Sequence, residues 1–195
     1  IAEGLAVSTF PALIGLALVA PQFVPEILGQ QWVGMVVPLQ ILCIVSLSTT
    51  LEALFPHVLN VVGEAGFIMK VSTAAAVSFP AVFVLASVTW GLNGLAVAWL
   101  VLHPVTVAAP LFHRIRQRTG VRFRELFKAL QPALVASGLM VAGVLALQSV
   151  WTGSGLLLLV VEILVGAAVY ALGLWGLFPS TVQRLLRFVK LVVAR

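Results

Sequence analysis

The chain has 195 residues, of which 62% are hydrophobic and 9% are charged, and its mean hydropathy is +1.17. A soluble globular domain carries about 25% charged residues, so this composition excludes that class. The chain has no aspartate, three scattered histidines and one cysteine, Cys43. It therefore offers neither a metal-ligand cluster nor a catalytic set, and we expect no enzyme activity, metal or cofactor.

The formal net charge of +5 is concentrated in two clusters, Arg114–Lys128 and Arg184–Arg195, which hold all the basic residues except Lys70. Residues 71–113 carry no charge, and Glu162 is the only charge in residues 129–183. Charge is costly in hydrocarbon, and cytoplasmic loops accumulate Lys and Arg. The pattern predicts a membrane protein in which residues 113–128 form a cytoplasmic loop and residues 184–195 form a cytoplasmic tail. We expect them to bind anionic lipids, not nucleic acid.

Taken in chain order, six apolar segments are long enough for helices that cross the hydrocarbon core, which needs about 20 residues. They are residues 4–27, 36–60, 66–89, 94–112, 130–150 and 156–178. These runs are too long for the strands of a β-barrel and lack the strict alternation of apolar and polar residues that such strands show. We therefore expect an all-α polytopic membrane protein. Residues 1–178 would form one six-helix lobe. The chain starts at Ile1, and we expect it to be a piece of a longer protein.

The second segment is the most polar of the six. Spacings of three and four residues place Ser46, Thr49, Glu52, Pro56 and Asn60 on one helical face, with His57 adjoining. Pro56 removes a backbone hydrogen bond and is our hinge candidate. An ionisable side chain within a span indicates a functional site by default. Glu52, His57 and Asn60 are therefore candidates to line a substrate cavity. The alternative is that Glu52 packs against a polar neighbour for stability.

Two further charges lie within predicted spans. Lys70 falls about one turn into the third segment, where it either snorkels to the headgroups or holds an anionic substrate. Glu162 lies about two turns into the last segment and shares a face with Gly166, Tyr170 and Gly173. We favour close packing of this face, with Glu162 in a buried hydrogen bond, over a proton relay.

The basic clusters also predict the orientation. Both are cytoplasmic and two helices separate them, so residues 63–66 and the start of the chain are cytoplasmic as well. The opposite turns contain no Lys or Arg, and each carries a tryptophan, Trp32, Trp90 or Trp151, as an interfacial belt requires. Residues 179–195 have basic residues three apart and predict a basic amphipathic helix on the inner surface.

Several short motifs resemble one family of transporters. They are Phe10-Pro11 with Gly15, Ala20-Pro21, Val24-Pro25, Leu28-Gly29-Gln30-Gln31-Trp32, Asn60-Val61-Val62-Gly63-Glu64-Ala65-Gly66 and Gly91-Leu92-Asn93-Gly94-Leu95-Ala96-Val97-Ala98. In order and spacing they resemble the Wzx-type oligosaccharide flippases of the multidrug/oligosaccharidyl-lipid/polysaccharide exporter superfamily. The resemblance covers residues 1 to 112, and the remainder agrees by topology only.

The resemblance implies the C-terminal part of a two-lobed protein whose N-terminal lobe is missing from this chain. It further implies the flipping of undecaprenyl-diphosphate-linked sugar units across the bacterial inner membrane. A diphosphate cavity should offer Arg or Lys, yet Lys70 is the only candidate here. The alternatives are a cation-coupled multidrug exporter of the same superfamily and a non-transporting membrane scaffold for polysaccharide enzymes.

Overall fold

The computed structural model describes residues 2–120, 123–151 and 155–184, and these ranges are almost entirely helical, with no strand among them. Five helical segments in this part of the chain are long and apolar enough to cross a membrane. They are Glu3–Leu28, Gln30–Val61, Ala65–Thr119, Phe127–Val150 and Leu156–Leu177. The all-α membrane class is therefore confirmed. In the predicted amphipathic helix, residues 179–184 are helical, and residues 185–195 lie outside the described part.

The first two segments form an antiparallel pair. Helix α1, Ala2–Phe23, continues through a π-helical turn, Val24–Leu28, to Gly29, where the chain reverses. A 3-10 turn, Gln30–Met35, leads into α2, Val36–Glu52. The side-chain amide of Gln40 donates to the Ala17 carbonyl at 2.9 Å and ties the two helices together. After a short break, α3 runs over Phe55–Val61.

The third segment is a hairpin. Helix α4, Ala65–His103, is interrupted at Gly91, where φ is 61° and ψ is −144°. Trp99 contacts the rings of Phe79 and Phe83, with centroids 6.2 and 5.5 Å apart. Residues so far apart in sequence would be separated by roughly 25 Å or more in a straight helix. The two arms, 65–90 and 92–103, therefore run antiparallel. The first overlaps the predicted third segment, 66–89, and the second overlaps the start of the predicted fourth, 94–112.

The basic stretch 113–128, which the charge pattern predicted to be a loop, is mostly helical, so that prediction is wrong. A π-helical turn, Pro104–Ala108, joins α4 to α5, Ala109–Thr119, and α6 already begins at Phe123. Gly120, with φ 72°, ends α5 in a left-handed cap. The physical reason is that Arg, Lys, Glu and Leu are good helix formers. Positive charge therefore marks the membrane side without marking the end of a helix.

Helix α1 lies at the centre of the packing, between α2 on one side and α6 with α7, Leu156–Leu177, on the other. The main core joins α1, α6 and α7, and its buried members are Ala6, Val7, Phe10, Leu130, Ala133, Ala136, Met140, Tyr170 and Leu174. A smaller core joins α3, the start of α4, and α5 through Leu59, Val71, Leu111 and Ile115. Helix α2 also packs against α4. This arrangement brings the end of α2 close to the end of α4.

Candidate functional site

Glu52 and His103 form the most unusual polar contact within the spans. Glu52 ends α2 and is only 7% exposed, and His103 ends α4. The Glu52 Oε2 atom lies 3.2 Å from His103 Nδ1, close enough for an ion pair. The geometry is not that of a hydrogen bond, and no well-aligned partner for either carboxylate oxygen or for Nδ1 occurs among the described residues, although the Ser48 hydroxyl lies within reach of the Glu52 carboxylate one turn earlier in α2. Buried polar groups left unsatisfied are costly and indicate a site where something else is bound or exchanged.

An aromatic group holds the imidazole in place. The His103 ring stacks on Trp99 at 6.4 Å with an interplanar angle of 20°, and Phe79 lies 6.2 Å from it. Phe79 and Trp99 come from opposite arms of the α4 hairpin. The hairpin thus presents the His103 imidazole to the end of α2. A carboxylate beside an imidazole can share a proton with it, or it can accept a hydrogen bond from a substrate.

The other candidates from the sequence lie apart from this contact. His57 is exposed, and its Nδ1 lies 3.0 Å from the Ala53 carbonyl of its own turn. Asn60 and Lys70 are exposed as well. Within the described ranges, no hydrogen bond or ion pair joins Glu52 to any of these three residues. Pro56 stands in the first turn of α3, just after the break that separates α2 from α3.

Sequence reasoning did not pair Glu52 with His103, because the hairpin that brings them together is a long-range feature. On sequence alone, a histidine just before a proline, as His103 is before Pro104, is more often a packing residue than a ligand. The available signal was that His103 is the only titratable residue in the uncharged stretch 71–112. A histidine in such a stretch requires a polar partner within the protein.

Glu162 marks a second polar site, in a cavity of about 440 Å³ between α1, α6 and α7. Its side chain is fully buried, and its Oε1 atom accepts hydrogen bonds from the amides of Gln22 at 3.2 Å and Gln148 at 3.0 Å. Below it, Gly166 packs against Met140 and Val144 of α6. The predicted close packing of this face, with Glu162 in a buried hydrogen bond, is confirmed.

Ion pairs join the helix ends on the side of the basic clusters. Glu64, between α3 and α4, accepts a hydrogen bond from Arg114 Nε at 3.0 Å and pairs with Arg118. The Arg114 guanidinium also lies 4.9 Å from the centre of the Phe67 ring. Desolvation raises the pKa of Glu64, but hydrogen bonds and charge from the two arginines outweigh it and hold the pKa below its ordinary value.

A second ion pair joins the two ends of the described chain. Glu3 Oε1 accepts from Thr181 Oγ1 at 2.7 Å and lies 3.2 Å from Arg184 Nη2. Together with the Glu64 cluster, this pair gives Arg114, Arg118 and Arg184 acidic partners within the protein. The sequence had suggested only lipid headgroups for these residues. Their charges thus also connect neighbouring helix ends.

The comparison with curated proteins finds one relative. The chain is 26% identical over 147 residues to the lipopolysaccharide biosynthesis protein WzxC of Escherichia coli strain K12. The alignment covers 70% of this chain and 30% of WzxC, so the chain spans about 30% of the length of that relative. No protein-family profile matches the chain, and no solved structure matches it. The similarity to WzxC supports the resemblance to Wzx-type proteins.

Proposed function

We propose that this chain is part of a multi-pass transporter of the bacterial inner membrane. The transporter would move lipid-linked oligosaccharide from the inner to the outer leaflet for surface polysaccharide biosynthesis, including that of lipopolysaccharide. The observation that carries the proposal is the similarity to WzxC over 70% of the chain. The bundle of long apolar helices supports it, since a polar glycan needs a protein path through hydrocarbon. The remaining lobe of the transporter would be its principal partner.

In this proposal the chain crosses the membrane six times. The segment Ala65–Thr119 has 55 residues and would extend roughly 80 Å as a straight helix, whereas the hydrocarbon core is about 30 Å thick. The reversal at Gly91 divides it into two crossings. Both ends of this chain and the Glu64 turn then face the cytoplasm, on the side of the basic residues.

The substrate path would pass the ends of α2 and α4. Glu52 with His103, together with His57, Asn60 and Lys70, would offer polar contacts along it. The break before Pro56 would allow α3 to move relative to α2, as in transporters whose helices are discontinuous near the substrate. The exposed basic residues Arg116, Arg124 and Lys128 would contact anionic lipids at the cytoplasmic surface.

Deletion of the gene in its own host tests the transport function. We expect loss of surface polysaccharide together with accumulation of lipid-linked oligosaccharide inside the cell, both reversed by the full-length gene. A scaffold for polysaccharide enzymes would instead reduce synthesis of the lipid-linked precursor. Loss of polysaccharide without precursor accumulation would therefore contradict transport and favour the scaffold. Normal polysaccharide would contradict both.

The site is tested with Glu52→Ala and Lys70→Ala in the full-length protein. We expect each to lower surface polysaccharide at normal protein abundance. Met69→Ala serves as the matched control for Lys70→Ala, because Met69 is exposed and adjacent to Lys70. Polysaccharide at the wild-type level in the Glu52 and Lys70 variants would remove these residues from the substrate path and leave the deletion result unaffected.

A further inference from the structure

A groove between α1 and α2 gathers the hydroxyl groups of these two helices. Its volume of about 390 Å³ falls within the range of small-molecule sites, roughly 300–1,000 Å³. All the serine and threonine residues of α1 and α2 line it, except Ser48. They are Ser8, Thr9, Ser46, Thr49 and Thr50. Ala12 and Leu13 complete the wall, so none of the residues that line this groove is charged.

The hydroxyl groups of this groove can accept hydrogen bonds, but their protons are already used. Each oxygen lies 2.7–3.2 Å from a backbone carbonyl of its own helix. A carbonyl oxygen can only accept, so each hydroxyl donates its one proton there and keeps lone pairs for a further partner. The groove therefore presents a set of uncharged acceptors. It favours a ligand that carries several donors and no charge.

The same two helices border a second groove, and that one is apolar. Its wall includes Ile14, Ala17, Cys43, Ile44 and Leu47, and its one amide, that of Gln40, donates to the Ala17 carbonyl. By helical periodicity, residues 14, 17 and 18 lie on a different face of α1 from residues 8, 9 and 12. A helix pair with one polar and one apolar side turns the apolar side to lipid and the polar side to the interior of the protein.

We propose that the hydroxyl groove lines the transport path and binds uncharged sugar units. Sugar hydroxyls donate to the free lone pairs of the groove, and the C–H face of a sugar ring lies against Ala12 and Leu13. A phosphate group does not fit, because it brings negative charge and acceptors to a surface that offers only acceptors. The inference rests on the proposed transport function, which supplies an oligosaccharide on this path.

Cysteine labelling tests whether the groove faces water. The full-length protein, in lipid nanodiscs and without its natural cysteines, carries either Ser46→Cys in the hydroxyl groove or Ile44→Cys in the apolar groove. The two positions lie close together in the middle of α2, so their depth in the membrane is similar. A charged methanethiosulfonate reagent should label position 46 and not position 44. A lipid-soluble maleimide should label position 44.

Protection by a sugar tests the ligand. We expect about 50 mM maltotriose to slow charged labelling at position 46 at least about twofold, since bound ligand blocks the reagent. A polyethylene glycol of similar mass, whose ether oxygens are acceptors, should not slow it. Thr49→Val with Thr50→Val removes two acceptors at nearly constant shape and should abolish the protection. Thr73→Val with Thr89→Val is the matched control, because these hydroxyls also donate within their own helix but lie outside the groove.

Several results would overturn the proposal. Labelling of position 46 by the lipid-soluble reagent alone would show that the groove faces lipid, and labelling by neither reagent would show that another helix covers it. Absent protection, equal protection by the polyether, or full protection in the Thr49→Val and Thr50→Val double variant would show that the groove binds no sugar. If that variant does not fold, as judged by gel filtration, the comparison of maltotriose with the polyether decides. These results are independent of the gene-deletion phenotype, so failure of sugar binding and failure of transport are distinguishable.

Discussion

The hydroxyl of Tyr170 is a single group that joins α7 to α1. It donates to the Val7 carbonyl at 2.7 Å in a buried position. Hydrogen bonds between membrane helices contribute about 0.6 kcal/mol on average and up to about 1.7 kcal/mol. We expect Tyr170→Phe to lower the free energy of unfolding by about 1 kcal/mol, measured by denaturation in mixed micelles. The change leaves the packed ring in place.

Ser8→Ala is the matched control for Tyr170→Phe. The Ser8 hydroxyl is exposed, and among the described residues it bonds only to carbonyls of its own helix, at Gly4 and Leu5. Its removal should leave the stability of the bundle nearly unchanged. Equal losses in the two variants would show that the Tyr170 hydrogen bond does not stabilise the contact between α1 and α7.

The candidate site shows what residue-level reasoning can and cannot obtain from the sequence. Glu52 was identifiable because an ionisable group in an apolar segment is costly wherever it points. The close packing of the Glu162 face was predictable because its spacing lies within one helix. The partners of these carboxylates, His103, Gln22 and Gln148, were not predictable. They come from distant segments, and periodicity carries no information about which helices are neighbours.

At the scale of elements, the α4 hairpin depends on Gly91. Its φ of 61° with ψ of −144° lies in a region that is essentially restricted to glycine. We expect Gly91→Ala to lower the free energy of unfolding by about 1–3 kcal/mol and to weaken the Phe79–Trp99 contact. The measurements are denaturation and the fluorescence of Trp99 in a variant that lacks the other tryptophans.

Gly176→Ala is the control for the hairpin variant. Gly176 lies in α7 with ordinary helical backbone, and an added Cβ would meet open space. Alanine there should be neutral or stabilising by up to about 1 kcal/mol. If Gly91→Ala matched Gly176→Ala in stability, the reversal would not require the backbone conformation of Gly91.

The Glu64 ion-pair cluster links the turn before α4 to α5. Because its pKa is lowered in the folded protein, the ionised form contributes stability above the ordinary value of 4.5, and this contribution is lost as the pH falls through the lowered pKa. We expect Glu64→Gln to lower the Tm at neutral pH. The difference in Tm from wild type should shrink at acidic pH and vanish below the lowered pKa.

Arg118→Gln should reproduce most of the loss seen in Glu64→Gln, and the double variant should lose little more, because the residues share one interaction. Arg116→Gln is the control, since Arg116 is exposed in the same helix and does not take part in the cluster. A pH-independent difference between Glu64→Gln and wild type would contradict the role of the ionised carboxylate.

The elements themselves were largely predictable. The apolar segments overlap the observed helices, because each had to be long enough to satisfy its backbone internally, but 36–60 and 94–112 are each divided between elements. The error fell on residues 113–128, where charge was taken as the mark of a loop. Helix propensity determines the backbone conformation of a segment, whereas charge determines whether the segment lies inside or outside the hydrocarbon. A basic segment can therefore leave the hydrocarbon and remain helical.

At the scale of the whole molecule, acidic residues at or beyond the ends of the spans bring the basic helix ends together. Glu3 pairs with Arg184, and Glu64 pairs with Arg114 and Arg118. Since α1 and α2 are antiparallel, the start of α1 and the turn at Glu64 lie on the same side of the bundle. Trp32, Trp90 and Trp151 are all exposed at the other side. This division of charge and tryptophan is the arrangement expected of two membrane interfaces.

Labelling of single cysteines tests both the orientation and the number of crossings. Cys43 is buried and is first replaced by Ala to give a background without thiols. Cysteine is then placed at one of four exposed positions, Gly66, Asn93, Gln117 or Gln31. In spheroplasts, a maleimide that cannot cross the membrane should label positions 31 and 93 only. Positions 66 and 117 should react after lysis.

The pair 66 and 117 decides the number of crossings. These positions flank the segment Ala65–Thr119, so two crossings place them on the same side, whereas one crossing places them on opposite sides. Labelling of position 117 but not 66 in spheroplasts would therefore contradict the hairpin as a double crossing. Labelling of both, with 31 and 93 protected, would keep the hairpin and reverse the orientation. Only the predicted pattern supports six crossings with the basic side in the cytoplasm.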